Sequence, residues 1–192
     1  MSLEKIAIGV DLDGVCADYF ARMREIAAEW LERDISELTT EVTCSFPEWG
    51  IKDMEQYLSL YHFAVTKRNL FSTCKMLPHA CTYLRLLSGE GAKIILYRFV
   101  THNFLQKVLI QTVDWLSKNR IPYGELCFIK VKEKVEADIY IEDSPTNIVE
   151  LRKENLYTIC FANSTNKDVE QPRVGTWEEV YQLIKKKYDS NT

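Results

Sequence analysis

The sequence predicts an α/β fold: a parallel sheet covered by helices on both faces, with a small helical insertion after the first strand. Three observations carry that reading. Short, mostly apolar runs recur along the chain: IAIGV at 6–10, KIILY at 93–97, LCFI at 126–129, ADIYI at 137–141 and YTICF at 157–161. Each is short and apolar on both sides, as buried parallel strands are. Helical stretches separate most of them, and that alternation builds a parallel sheet. Residues 34–77 break the alternation with polar turns and clustered aromatics.

In chain order, the first strand runs straight into Asp11. Gly14 then permits a turn, and 17–33 reads as an amphipathic helix with Ile26, Trp30 and Leu31 on its apolar side. Two or three short helices are expected within 34–77. Pro78 opens a helix over 79–87, closed by the SGEG turn at 88–91. The second strand, 93–97, is followed by a helix over 103–119 with Leu105, Val108, Leu109, Val113 and Leu116 facing inward. Ile121-Pro122 ends it. The third and fourth strands lead to a short helix over 146–154, then a fifth strand and a terminal helix over 177–187. Lys185–Lys187 at the end of that helix suit its macrodipole and need no function. Trp177 is expected to be a packing residue.

Composition narrows the function. The 192 residues include 46 % hydrophobic and 27 % charged side chains, with 24 basic against 28 acidic and a formal net charge of −4. That balance argues against a grip on a nucleic-acid polymer, which favours a basic surface. No apolar stretch is long enough to span a membrane, and the N-terminus lacks a signal-peptide layout. Six cysteines without a CxxC pair read as reduced thiols of a cytoplasmic protein.

Chemistry concentrates at strand ends, where open α/β sheets bind ligands. Asp11 and Asp13 stand two residues apart after the first strand, followed by Gly14. Two carboxylates at a breaking strand can share one point, one as nucleophile or metal ligand and the other as proton shuttle. Glu142-Asp143-Ser144-Pro145 follows the fourth strand. Acidic groups from two strand ends suit a hard divalent cation, and magnesium typically bridges to phosphate. Lys132, between the third and fourth strands, is placed to neutralise the carboxylates and hold a phosphate.

This ordered set, hhhhDxDGV, an insertion, a lysine and then an acidic pair, resembles the haloacid dehalogenase (HAD) superfamily, whose core is a Rossmann-like parallel sheet. More narrowly, ADIYIEDSP with the preceding TVDWLSKNRIPYGELCFIK looks like the bacterial and phage branch of the 5′-nucleotidase family, which includes 5′(3′)-deoxyribonucleotidases. The resemblance implies an α/β core of 1–18 and 78–192 with a helical cap of 19–77. It implies a magnesium-dependent phosphomonoesterase acting on a small phosphate ester, a nucleoside monophosphate in the nucleotidase reading. Asp11 would attack phosphorus and form an aspartyl-phosphate, and Asp13 would protonate the leaving alcohol and then activate water. Magnesium would sit on Asp11, the Asp13 backbone carbonyl and Asp143, with Glu142 in support, while Lys132 would stabilise the phosphate.

One segment departs from the family pattern. The preferred alignment ends the second strand at Leu96-Tyr97-Arg98, which puts a leucine where a phosphate-binding Thr or Ser is usual and leaves Arg98 to bind phosphate. The other lets the strand run on, so that Thr101 supplies the hydroxyl and Arg98 lies within the sheet. The first leaves room for a nucleotide-binding protein with weakened turnover. A phosphatase for another small ester is a further alternative. Phe46, Trp49, Tyr61 and Phe63 are candidates to stack on a base or to form the cap's own core, and Tyr19 and Phe20 follow the nucleophile motif. His62, His79 and His102 are expected to carry no ligand or base role.

Overall fold

The computed structural model describes residues 3–100, 104–129 and 135–189. Six parallel strands form one sheet: β1 (Ala7–Asp11), β2 (Lys93–Phe99), β3 (Glu125–Ile129), β4 (Ile139–Glu142), β5 (Thr158–Phe161) and β6 (Arg173–Val174), in the order β3-β2-β1-β4-β5-β6. The sixth, two residues long, is too short to register as a hydrophobic run. β1 is central, so Asp11 emerges between its two neighbours, opposite Tyr97 of β2.

Side chains alternate across the sheet. Ile8, Val10, Ile94, Leu96, Ile139, Ile141 and Ile159 join the larger core. That core is closed by α4 (Ala80–Gly89), α5 (Leu105–Asn119) and α7 (Trp177–Asp189), which contribute Leu84, Leu87, Val108, Trp115, Leu116, Val180 and Ile184. On the other face Ile95, Tyr97 and Tyr140 meet Leu151 of α6 (Pro145–Lys153) in a smaller cluster.

Between β1 and α4 lie α1 (Tyr19–Trp30), two 3₁₀ turns (Ile35–Glu37 and Pro47–Trp49), α2 (Met54–Lys67) and the single turn α3 (Leu70–Thr73). The chain enters and leaves this insertion at one place. Asp18 N donates to Lys75 O and Leu77 N to Cys16 O, each at 2.8 Å, a two-stranded neck with Ala17 opposite Met76. The insertion is also bonded to α5. The buried Gln111 accepts from Phe71 N and donates to Val65 O, and Trp115 Nε1 donates to Cys74 O. The cysteines are all free thiols. Among the described residues, no helix is long and apolar enough to cross a membrane.

The second strand corrects the preferred alignment. β2 runs through Arg98 to Phe99. Leu96 pairs with Val10, one residue before the level of Asp11, and is fully buried in the core. It is an interior strand residue rather than the strand's end. A charged side chain is tolerated here because its guanidinium is fully paired, as described below.

Candidate active site

Leu12 sets the first loop. Its carbonyl accepts from both Cys16 N and Ala17 N, and Gly14 N donates to Ala17 O, so the chain leaving Asp11 curls at once into a tight turn. Gly14 takes φ +74°, a left-handed conformation that glycine adopts without strain. Trp177, buried against Phe161, donates its indole N–H to Val15 O at 2.9 Å. It is a packing residue that also fixes this loop from beneath.

Asp11, Glu142 and Asp143 are all buried, and each offers an oxygen within 4.8 Å of the others. These hard oxygen donors can hold a divalent cation. The two acids of β4 differ in their surroundings. Glu142 Oε1 accepts from Asp143 N, Ser144 N and Asn147 Nδ2, while Oε2 accepts from the Tyr97 hydroxyl. Its carboxylate is thus held by the two backbone N–H groups that lead into α6 and by the Asn147 side chain of the helix. Asp143 Oδ2 accepts from Asn163 Nδ2 at 2.8 Å, and its carbonyl from the buried Asn166. Asn166 also bonds Phe161 O. Neither asparagine was singled out from the sequence, although an Asn-x-x-Asn pair two residues after the apolar run ending at Phe161 was the available signal.

Arg98 does not open onto the cleft. Its side chain is 0 % exposed. Nε and Nη2 donate to the two Asp13 oxygens at 3.0 and 2.7 Å, and Nη1 donates to Thr112 Oγ1. The Phe71 ring covers it, 4.1 Å from centroid to guanidinium carbon. The expectation that Arg98 binds phosphate gives way to a bidentate pair with the second aspartate. An interior arginine needs such a partner, because an unpaired buried charge is very costly.

The aspartates stand in a cleft of about 400 Å³ lined by Asp11, Asp13 and Asp143 together with Tyr19, Phe20, Phe46, Tyr57, Tyr61, Phe71 and Phe99. Of the proposed stacking residues, Phe46 and Tyr61 face it, as do Tyr19 and Phe20. Trp49 lies behind Phe46, with ring centroids 4.3 Å apart and planes at 17°, and its indole donates to Thr39 O. Phe63 instead packs against the Arg68 guanidinium. Ser45 and Phe46 both adopt left-handed backbone, φ 68° and 60°, a strained turn that the Phe46–Trp49 stack helps to hold. Burial pushes the Tyr19, Tyr57 and Tyr61 hydroxyls up, so they remain protonated at neutral pH. Thr101, His102 and Lys132 lie outside the described residues. His62 tilts against Phe104 and His79 precedes α4, and neither lines the cleft.

Residues 4–188 match the family model described as "5' nucleotidase, deoxy (Pyrimidine), cytosolic type C protein". The chain belongs to this 5′-nucleotidase family. It is 54 % identical over 187 residues, 96 % of this chain and 93 % of the relative, to a Chlorobaculum tepidum protein named "Putative 5'(3')-deoxyribonucleotidase". Solved structures agree on the fold. A "predicted phosphatase" from Clostridium acetobutylicum superposes with TM-score 0.62 at 15 % identity, covering 94 % of this chain and 98 % of that one. A HAD-superfamily hydrolase of Geobacter sulfurreducens gives 0.56 at 11 %, covering 96 % and 100 %. The chain is a HAD-type phosphomonoester hydrolase.

Proposed function

We propose that the protein is a magnesium-dependent nucleotidase that hydrolyses nucleoside monophosphates, deoxyribonucleotides among them, through an aspartyl-phosphate on Asp11. The observation that carries this is the convergence of Asp11, Glu142 and Asp143 beside an aromatic-walled cleft in a chain of the 5′-nucleotidase family. The all-oxygen donor set fits magnesium. Its ligands would be Asp11, the Asp13 backbone carbonyl and Asp143, and it would supply charge neutralisation for the phosphoryl group. Glu142, both oxygens already hydrogen-bonded, supports from behind.

Asp11 Oδ attacks phosphorus in line. Asp13 gives its proton to the departing alkoxide, then takes one from the water that cleaves the acyl-phosphate. The order of motifs along the chain assigns phosphate binding to Lys132 and Thr101. Residues 19–77 act as a cap over the core of 1–18 and 78–192, a division supported by the paired neck at Ala17 and Met76. Its aromatic wall suits a flat base. The free thiols support a cytoplasmic setting, and the acidic balance supports a small-molecule substrate rather than a nucleic-acid polymer or a membrane.

The test is phosphate release from ribo- and deoxyribonucleoside monophosphates and from sugar phosphates, with chelator and Asp11→Asn as blanks. Release from nucleotides that both blanks abolish is the expected result. Release from sugar phosphates alone would overturn the substrate, and no release from any ester would overturn the activity. A second measurement addresses Asn163, whose amide orients Asp143. Asn163→Ala is expected to weaken magnesium binding by about 10- to 100-fold, the usual loss when a group supporting a ligand is removed. Calorimetric titration showing unchanged affinity would remove Asn163 from that role.

A further inference from the structure

We propose that Arg98 is a positioning residue for the leaving-group proton: it fixes the Asp13 carboxylate in the orientation from which it protonates the departing alcohol. This rests on the aspartyl-phosphate reading above. The guanidinium is held on three sides. Thr112 Oγ1 accepts from Nη1 and itself donates to Val108 O at 2.6 Å, anchoring the group to α5. Phe71, from the insertion, covers its face. The remaining edge carries the two parallel hydrogen bonds to Asp13.

A two-point fork fixes the plane of a carboxylate as well as its position, which a single ammonium cannot do. Asp13 sits on a turn rather than in the strand and is 26 % exposed, so without the fork its side chain would be free to rotate. It nevertheless lines the cleft, and the pairing leaves it facing the reaction. In the first step the Asp11 oxygen bonds to phosphorus, the bond from phosphorus to the ester oxygen breaks, and the Asp13 proton passes to that oxygen. In the second, Asp13 takes a proton from water as the water oxygen bonds to phosphorus and the bond to Asp11 breaks. Both transfers need the same carboxylate in the same place.

Leaving-group dependence separates this role from a merely structural one. A nucleotide departs as an alkoxide and needs the proton, whereas p-nitrophenyl phosphate departs as a stable phenolate and does not. Hydrolysis of the aspartyl-phosphate is common to the two esters, so the readout is single-turnover release of the nucleoside or of p-nitrophenolate. Arg98→Lys, which keeps the charge and loses the fork, is expected to lower that rate for a nucleoside monophosphate on the order of 100-fold. KM should change little, and single-turnover p-nitrophenolate release should lose far less. Arg98→Met should show the same selectivity more strongly, and little further loss should follow when Asp13→Asn is added. Should the methionine variant fail to fold, Thr112→Val, which frees one side of the guanidinium, should shift the ratio of the two substrates in the same direction.

Equal losses on both esters would overturn the inference. So would a rise in KM at constant kcat, which is the mark of a phosphate ligand, or losses that add in the double variant. Wild-type protein inactive on both esters would instead overturn the functional reading, and this inference with it.

Discussion

Asp11→Asn is expected to lower phosphate release on the order of 10⁴-fold or more while the protein keeps its fold. On the proposed mechanism the loss is large because the change removes the attacking oxygen itself, and nucleophile deletions in enzymes built around one are of that size or greater. The fold should survive because Asn has the shape of Asp and the change relieves repulsion among the clustered carboxylates. Asp11 is buried within 4.8 Å of two other carboxylates, and like charges so close repel. With chelator present, the thermal midpoint of the variant should match or exceed that of the wild type. With magnesium present, the wild type should rise more, since a cation that binds only the folded state stabilises it by mass action. Retained turnover would refute the aspartyl-phosphate route, and a variant that melts well below wild type under chelator would refute the repulsion argument.

How legible the molecule was in its sequence follows from where the side chains point. Five of the six strands described, and their parallel direction, could be read because strands buried on both faces leave unbroken apolar runs; their order in the sheet could not. The two residues of β6 leave none. The acidic strand ends were legible for a related reason: an Asp directly after an apolar run has few other places to go. The insertion was harder. Met54–Lys67 is one 14-residue helix, but Tyr57, Tyr61 and Phe71 turn toward the cleft. An apolar surface shared between a small core and an open cleft has no clean period.

Arg98 was misread for a physical reason. A charge in the middle of a central strand contradicts local pattern, and only a partner distant in sequence removes the contradiction. Asp13 lies 85 residues away. Glu142 and Asp143 were visible as a pair, and the family resemblance already implied Asp143 on the metal with Glu142 in support. What was not visible is the bonding around each, which depends on the backbone amides of Asp143 and Ser144 and on Asn163. Phe46 and Trp49 could not be told apart either, because stacking puts one ring in front of the other.

Gly14→Ala should cost both stability and cation binding. A Cβ on Gly14 would stand 2.0 Å from Asp143 Oδ2 and 2.7 Å from its Cγ, far inside any real contact. The Asp143 side chain cannot swing away freely, because that same oxygen accepts from Asn163 and its backbone is bonded to Asn166. The alternative is for the turn to move, but φ +74° is set by the bonds from Gly14 N to Ala17 O and from Cys16 and Ala17 to Leu12 O. Left-handed backbone costs an L-residue about 1–2 kcal/mol before any clash is counted. Whichever side yields, Asp11 and Asp143 lose their mutual placement, so the expected outcome is a lowered urea midpoint, a large loss of magnesium affinity and near-complete loss of turnover. Asn163→Ala gives the contrast: it loosens Asp143 without crowding it, so it should weaken magnesium binding while leaving the urea midpoint closer to wild type. If Gly14→Ala left both the midpoint and the magnesium affinity unchanged, the close approach of the two strand-end loops, and with it the placement of the cation between them, would be wrong.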